Sequence, residues 1–383
     1  MTVIVKVTSD SPRAPLEHLL SSPLGLDVWE VKPEHLVLQA APAQAERLEH
    51  MGYAVEELQQ TQAYLSTFAT DEALAGFHTV ETLTADLQRL ADDHPDVAEL
   101  HEIGRSVEDR PIWALRIGER RGNPLKMVFL GCHHAREWIA VEVPYLLAEH
   151  LVTRSGTDPV QQWLRKGEIW VAPMVNPDGH EHTRTQDRLW RKNRRLNPDG
   201  SRGVDPNRNY GYMWGTLNIS TSSHVPRDET YVGPRAFSEP EVRAVRNLVA
   251  RELPAGVLTY HSYSQLILYP WGYTSTQIAD AHDRREMQGL GQDMARLIRQ
   301  VHGETYTVQQ SSALYPTAGD TTDWTYGEYG VPSFTIELRP DTQAEGGFIL
   351  PPDQIQPTWE ENLPAALQFI GHVFDKQPSP VSE

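Results

Sequence analysis

The hydrophobic pattern of the first 60 residues predicts a small α+β domain. Short alternating or apolar runs predict four strands, and two stretches of helical periodicity lie between them. Their order is strand, helix, strand, strand, helix, strand, which is typical of a ferredoxin-like sandwich. The expected strands are at residues 2–7, 26–31, 35–40 and 53–58, and the expected helices at 15–22 and 43–52. We therefore assign this domain to residues 1–60.

A different pattern follows a weakly periodic stretch of small and polar residues, which we interpret as a linker over 61–76. Across 77–376, helical segments alternate with apolar runs such as PIWALRIG, KMVFLGC and EIWVAPMV. Such runs are typical of strands that helices cover on both faces of a sheet. The predicted fold class is therefore α/β, a mostly parallel mixed sheet sandwiched by helices, with the small α+β domain before it. Residues 377–383 are expected to form a C-terminal tail.

Composition narrows the range of partners and locations. The chain carries 34 Lys and Arg against 52 Asp and Glu, a formal net charge of −18. A field of that sign repels phosphate backbones and anionic membranes, so we expect neither nucleic acid nor a membrane as a partner. Cys132 is the only cysteine, which excludes an intrachain disulfide. The N-terminus lacks the pattern of a signal peptide, so we expect a cytoplasmic location.

Candidate metal-binding residues follow the ends of two apolar runs. KMVFLGC leads into His133, His134 and, three residues further on, Glu137, while GVLTY leads into His261. A lone His-x-x-Glu has a capped helix start as its ordinary interpretation, and His133 competes with His134 for a ligand role. Two histidines, one glutamate and an open fourth position nevertheless form a known catalytic zinc arrangement. The three-residue step favours His134, with His133 as a buried, hydrogen-bonded neighbour.

The chain resembles the zinc metallocarboxypeptidases of the A/B family, also called funnelins, from residue 77 to 374. The motifs that carry the resemblance occur in family order: HHAREW at 133–138, NPDG at 176–179, RLWRKNR at 188–194, GVDPNRN at 203–209, HSYSQLILYPWGY at 261–273, and LYPTAGDTTDW and FTIELRP near the end. The resemblance implies one Zn²⁺ per chain, held by His134, Glu137 and His261. It also implies hydrolysis of the C-terminal peptide bond of peptides and proteins.

The resemblance assigns roles to three further polar side chains. It implies that Asp205 orients the first histidine ligand from behind, as metal-bound histidines usually require. Glu337 corresponds to the general base and acid, and a carboxylate within the apolar run SFTIEL is costly to bury without a role. Arg191 corresponds to the arginine that stabilises the oxyanion. Without the resemblance, the basic run RLWRKNRR would be interpreted as a solvated surface.

Substrate-binding residues are implied in the same way. Asn207 and Arg208 correspond to the pair that binds the terminal carboxylate, and Tyr315 to the mobile tyrosine that closes over it. Arg136 and Tyr263 correspond to residues of the next subsites outward. Carboxylate recognition suits a planar guanidinium, which can donate two parallel hydrogen bonds.

The specificity pocket departs from both main types of the family. Its floor position corresponds to Thr322, neither the apolar residue that selects aliphatic and aromatic ends nor the Asp that selects basic ones. Asp320 stands two residues earlier, an arrangement that resembles the bacterial carboxypeptidase T type. We therefore expect broad specificity for apolar and basic C-terminal residues, with Asp320 aiding Lys or Arg.

The domain at 1–60 resembles the prosegment of the family, which implies a zymogen inhibited in cis. A monomer is expected, and the family also makes export an alternative to the cytoplasm. Two other functions were weighed: a binding protein without catalysis, and a metal-dependent amidohydrolase. The first is disfavoured because His134, Glu137, His261, Arg191 and Glu337 are all present. The amidohydrolase is disfavoured because the chain has Asn207, Arg208 and Tyr315, which correspond to residues that bind peptide C-termini.

Overall fold

The computed structural model describes residues 2–11, 14–68, 75–119 and 124–375. Helices α1–α3 and strands β1–β4 precede residue 69, and the remaining elements follow residue 79. The strands are β1 Val3–Thr8, β2 Asp27–Lys32, β3 His35–Ala40, β4 Ala54–Gln60, β5 Ala98–Arg105, β6 Pro111–Ile117, β7 Leu125–Gly131, β8 Gly167–Ala172, β9 Val257–Ser262, β10 Leu266–Tyr269, β11 Thr307–Gln310 and β12 Ser333–Leu338. The helices are α1 Leu16–Leu20, α2 Pro42–His50, α3 Thr61–Phe68, α4 Val80–Asp93, α5 Ile139–Thr153, α6 Val160–Lys166, α7 Pro177–Thr185, α8 Pro240–Glu252, α9 Ala281–His302, α10 Thr321–Tyr329 and α11 Ile355–Asp375.

The N-terminal sheet is antiparallel, with the strand order β2-β3-β1-β4. Alternation along β1 separates its two faces. Val3, Val5 and Val7 pack into the domain's own core, whereas Ile4 joins a cluster on the opposite face. That second cluster includes Phe348 from far along the chain. One face of this small sheet therefore packs against the rest of the molecule.

The expected linker begins with a helix. Residues 61–68 form α3, and Tyr64 from this helix is buried and donates a hydrogen bond to the carbonyl of Gly346 at 2.6 Å. Residues 69–74, the rest of the expected linker before 75, lie outside the described residues, as does the expected tail at 377–383.

The large sheet has the order β11-β10-β12-β9-β7-β8-β6-β5. Its inner strands β8, β7, β9 and β12 pair in parallel, and β5, β6 and β10 supply the antiparallel pairs. Helices α5 and α11 belong to the main core on one face, and α8 packs into a second cluster with β7 and β8 on the other. This mixed sheet between helices confirms the predicted fold class.

The carboxyl end of β7 positions the candidate metal ligands. Gly131 closes this strand, and a Cβ there would lie 2.1 Å from the carbonyl oxygen of Ala140 in α5. Only glycine permits so close an approach of the strand to the helix. The loop from Cys132 to Trp138 is thereby held against the sheet and is buried along its whole length. The end of β7 lies beside that of β9, which carries His261.

Candidate active site

Three buried side chains converge at the carboxyl ends of β7 and β9. The Nδ1 atom of His134 lies 2.8 Å from Glu137 Oε1, and the Nδ1 atom of His261 lies 3.0 Å from Glu137 Oε2. The two imidazole Nδ1 atoms are 3.1 Å apart. Zinc bonds of about 2.0–2.2 Å to nitrogen and oxygen put neighbouring ligand atoms roughly 3 Å apart, so this donor set fits zinc.

Asp205 contacts the first histidine through Nε2. Its Oδ1 lies 3.1 Å from His134 Nε2, and Arg191 Nη2 lies 2.8 Å from the same nitrogen. The other ring nitrogen, Nδ1, faces Glu137 and His261. Asp205 also accepts from the backbone amide of Asn207 at 2.9 Å and from Arg191 Nε at 3.0 Å. One buried carboxylate thus contacts a candidate metal ligand, the candidate catalytic residue Arg191 and the candidate substrate-binding residue Asn207.

The charge state of the cluster suits a cation. Burial alone would raise the pKa of Glu137, but the neighbouring His134 and His261 lower it below its usual range. The neighbouring ring of His133 stays neutral, since burial places its pKa well below the usual value. His133 is stacked on His261 at 5.4 Å between ring centroids, and its Nε2 lies 2.8 Å from Tyr210 Oη. These contacts agree with its prediction as a hydrogen-bonded neighbour.

Strand register brings Glu337 to the same centre. Glu337 on β12 is the direct partner of His261 on the parallel strand β9. Its side chain lines a cavity with His134, Glu137 and Arg191. Burial, followed by the charge of Glu137, raises the pKa of Glu337 well above its usual value. A carboxyl group with a raised pKa beside a metal centre is suited to exchange protons.

A second cation lies on the other side of Asp205. Arg208 is buried and donates to two backbone carbonyls, those of Thr221 at 2.6 Å and Asn207 at 2.8 Å. Within the described ranges it forms no ion pair with a carboxylate. Its charge nevertheless acts on Tyr315 and Glu337, lowering the pKa of each against the effect of burial. This guanidinium is therefore available to an anionic group that enters the site.

Asp320, expected to aid basic substrates, also has a structural role. It is the N-cap of α10 and accepts from the Asp323 amide at 2.9 Å, from Thr322 Oγ1 at 3.0 Å and from Thr317 Oγ1 at 3.0 Å. Thr322, the expected pocket floor, is buried in the first turn of this helix. Burial, and then the charge of Asp320, raises the pKa of Asp323 well above its usual range.

Arg136 and Tyr263, the residues predicted for the outer substrate subsites, lie at the contact with the N-terminal sheet. Arg136 donates from both Nη atoms to Asp27 of β2, at 2.8 and 2.9 Å, and the guanidinium lies 4.0 Å from the ring centroid of Phe348. Trp29 packs on Phe348 with ring centroids 5.4 Å apart, and Tyr263 does so at 4.9 Å. Asp27, Trp29 and Phe348 were not foreseen, because their roles depend on contact between distant segments.

Strand β2 also closes the cavity beside the metal ligands. This cavity has a volume of ≈ 30 Å³ and is lined on one side by Val28, Trp29, Glu30 and Val31. Tyr315 lines it too and packs against the N-terminal core. Strand β2 thus leaves little open space beside the candidate metal ligands.

Fold and site together define a class: a metal-dependent hydrolase with a His, Glu, His centre at the ends of strands in a mixed α/β sheet. The model of the zinc carboxypeptidase family matches residues 83–365. The chain belongs to this family. It is accordingly a metallocarboxypeptidase with zinc as its cofactor, and its substrates are peptide C-termini.

Relatives and solved structures agree with this assignment. A zinc carboxypeptidase of Simulium vittatum is 38% identical over 301 residues, covering 77% of this chain and 95% of the relative. A carboxypeptidase B of Astacus astacus is 39% identical over 307 residues, covering 78% and 97%. The crystal structure of carboxypeptidase A from Helicoverpa armigera matches with a TM-score of 0.86 at 26% identity, covering 98% of each chain. No helix among the described residues is both long and apolar enough to cross a membrane.

Proposed function

We propose that this carboxypeptidase uses Glu337 as its general base, accepts both apolar and basic C-terminal residues, and is held latent by its N-terminal domain. The observation that carries the proposal is the register of β9 and β12, which places Glu337 beside the candidate ligand His261. A proton acceptor and a metal ligand are thereby fixed on neighbouring strands.

Zinc held by His134, Glu137 and His261 would polarise a carbonyl group and make water acidic enough to react at neutral pH. Glu337 is positioned to take a proton from the attacking water and to return it to the leaving amine. Its raised pKa supports the second half of this cycle, because it favours the protonated form that donates. Arg191, which Asp205 orients at 3.0 Å, donates to the oxygen that becomes negative.

Selection of the chain end is proposed to rest on Arg208 and Asn207. Arg208 is buried without a carboxylate partner in the described ranges, which supports an anionic ligand, since a lone buried cation is costly. The terminal carboxylate of a peptide is such a ligand. Asp320, the N-cap of α10, and Thr322 in its first turn are both buried, and the carboxylate of Asp320 supports acceptance of Lys and Arg ends.

Latency is supported by the contacts of strand β2. The bidentate pair of Asp27 and Arg136 occupies a residue that we assign to substrate binding, and β2 leaves little open space for a peptide beside the candidate metal ligands. Cleavage in the segment 69–76 would free the N-terminal domain to dissociate. Tyr315 could then leave its contact with that domain and close over a bound substrate.

The test is an assay of full-length and linker-cleaved protein on matched peptides with free or amidated C-termini. We expect cleaved protein to release the last residue of the free acids only, full-length protein to be much less active, and a chelator to abolish the activity. Equal turnover of amidated peptides would contradict the proposed carboxylate recognition. Equal activity of the two protein forms would contradict latency alone.

A further inference from the structure

The amide of Asn207 is held by one residue of helix α10. Its Oδ1 accepts two hydrogen bonds from Thr321, one from the backbone amide at 2.9 Å and one from Oγ1 at 2.7 Å. A backbone N–H can only donate, so the atom of Asn207 that faces it must be the oxygen. Since Thr321 is the first residue of α10, its N–H has no partner inside the helix and is free for this contact.

The other half of the amide is thereby directed away from Thr321. Within the described part of the chain, no residue accepts a hydrogen bond from the NH₂ group of Asn207. The backbone of Asn207 is fixed independently, by its amide hydrogen bond to Asp205 at 2.9 Å. Backbone and side chain are therefore both constrained, and two N–H donors are presented to an incoming acceptor.

The Thr321 hydroxyl is itself oriented from behind. His133 Nε2 lies 3.2 Å from Thr321 Oγ1, and Thr259 Oγ1 lies 3.3 Å from His133 Nδ1. Because the Thr321 hydroxyl gives its proton to Asn207, its lone pair is free to accept from His133 Nε2, which also lies 2.8 Å from Tyr210 Oη. The same imidazole is stacked on the metal-ligand candidate His261. All of these side chains are buried.

We propose that Thr321 is a positioning residue that fixes the Asn207 amide with its NH₂ group toward the substrate carboxylate. The inference rests on the proposed role of Asn207 in binding the chain end. Among the described residues, Thr321 forms no hydrogen bond with His134, Glu137 or His261. We therefore expect it to act on recognition through Asn207 and to leave the hydrolytic step unchanged.

The test compares Thr321→Val, which has nearly the same shape without the hydroxyl, with Thr321→Ser, which keeps it. In linker-cleaved protein, loss of one hydrogen bond should raise KM for free-acid peptides about five- to tenfold in Thr321→Val, with kcat within about twofold. Thr321→Ser should restore KM. Inhibition by free leucine should weaken in parallel with KM, whereas inhibition by leucinamide should not change.

Thr325→Val is the matched control on the same helix. The Thr325 hydroxyl contacts Ser333 Oγ at 2.7 Å and the backbone carbonyls of Thr321 and Thr322 at 2.9 and 3.3 Å, but not Asn207. It should affect thermal stability without raising KM. In an Asn207→Ala background, Thr321→Val should have no further effect. An unchanged KM in Thr321→Val, or an undiminished effect in that background, would overturn the inference. Failure of the proposed function would instead appear in the parent protein, as equal turnover of acids and amides.

Discussion

Glu337 combines a raised pKa with a fixed position beside His261, and its chemistry can be tested alone. Replacing it by Gln keeps the shape but removes the proton acceptor. We expect kcat of the linker-cleaved enzyme to fall by about 10³-fold, within the usual range for general bases. Zinc content, measured by elemental analysis, should not change. Glu328→Gln, at an exposed site on α10, is the matched control; a loss below tenfold in Glu337→Gln would contradict the role.

Asp320 poses a different question, because its N-cap contacts alone explain an aspartate there. Asparagine caps helices about as well, so Asp320→Asn removes the charge and leaves the helix start supported. We compare kcat/KM for peptides that end in Lys with kcat/KM for peptides that end in Leu. The ratio of the first to the second should fall about tenfold, because one charge-assisted contact is lost. An unchanged ratio would show that the aspartate serves the helix only.

At the scale of elements, strand β2 carries the contact that we assign to latency. Asp27→Ala would leave the buried Arg136 without its partner. Removing one partner of a buried ion pair destabilises the structure that contains it by about 3 kcal/mol. We expect the residual activity of full-length protein to rise at least tenfold, measured as the rate on a free-acid peptide before any linker cleavage.

Lys32→Ala offers the control on the same strand. Lys32 and Asp341 form an ion pair of 2.8 Å across the same contact, but with side-chain exposures of 22% and 45%. Exposed pairs contribute about 0–1 kcal/mol. Residual activity should therefore stay close to that of the parent protein. A similar rise in both variants would indicate general loosening rather than loss of one contact.

The sequence predicted the continuously apolar strands well and three other strands poorly. β7, β8, β9 and β12 are nearly continuous apolar runs, and this pattern indicates a buried strand. β5, with eight residues, was not predicted because polar residues interrupt its alternation, and β10 and β11 were not predicted because each has only four residues. These three strands owe their conformation to pairing with neighbours.

The metal ligands could be predicted because each follows an apolar strand, a local signal in the sequence. The roles of Asp205, Arg191 and Arg208 required the family resemblance, since turn and basic residues are common on surfaces. Thr321 and Asp27 were beyond both approaches. Their importance arises from hydrogen bonds to residues far away in sequence, at distances that only the folded chain defines.

At the scale of the whole molecule, Glu229 makes the stability of the folded protein depend on pH, and its pKa is affected by Asp27 of the N-terminal domain. Its Oε2 is buried without a hydrogen-bond partner among the described residues. Burial, and then the charge of Asp27, raises the pKa of Glu229 to about 7, against the opposing charges of Lys192, Arg136 and Arg191. The folded protein therefore holds this proton more tightly than the unfolded chain does. Its stabilising effect is present at acidic pH and is lost as pH rises through about 7.

Glu229→Gln should abolish this part of the pH dependence. Between pH 6 and 8 we expect the parent protein to lose about 1 kcal/mol in free energy of unfolding relative to the variant. Denaturant titrations of the full-length parent and variant at both pH values measure the difference. A constant difference between the two proteins would contradict the assignment.

The pairing of His261 with Glu337 on adjacent parallel strands has a consequence for how such enzymes diversify. Backbone ladders, and not the intervening connection, dictate the separation of the ligand and the acid–base group. That connection contains Tyr315, Asp320 and Thr322, which we assign to substrate binding. Segments of this connection can be lengthened, shortened or exchanged while the distance between His261 and Glu337 stays the same. The sheet thus allows preference for new chain ends to evolve without rebuilding the hydrolytic apparatus.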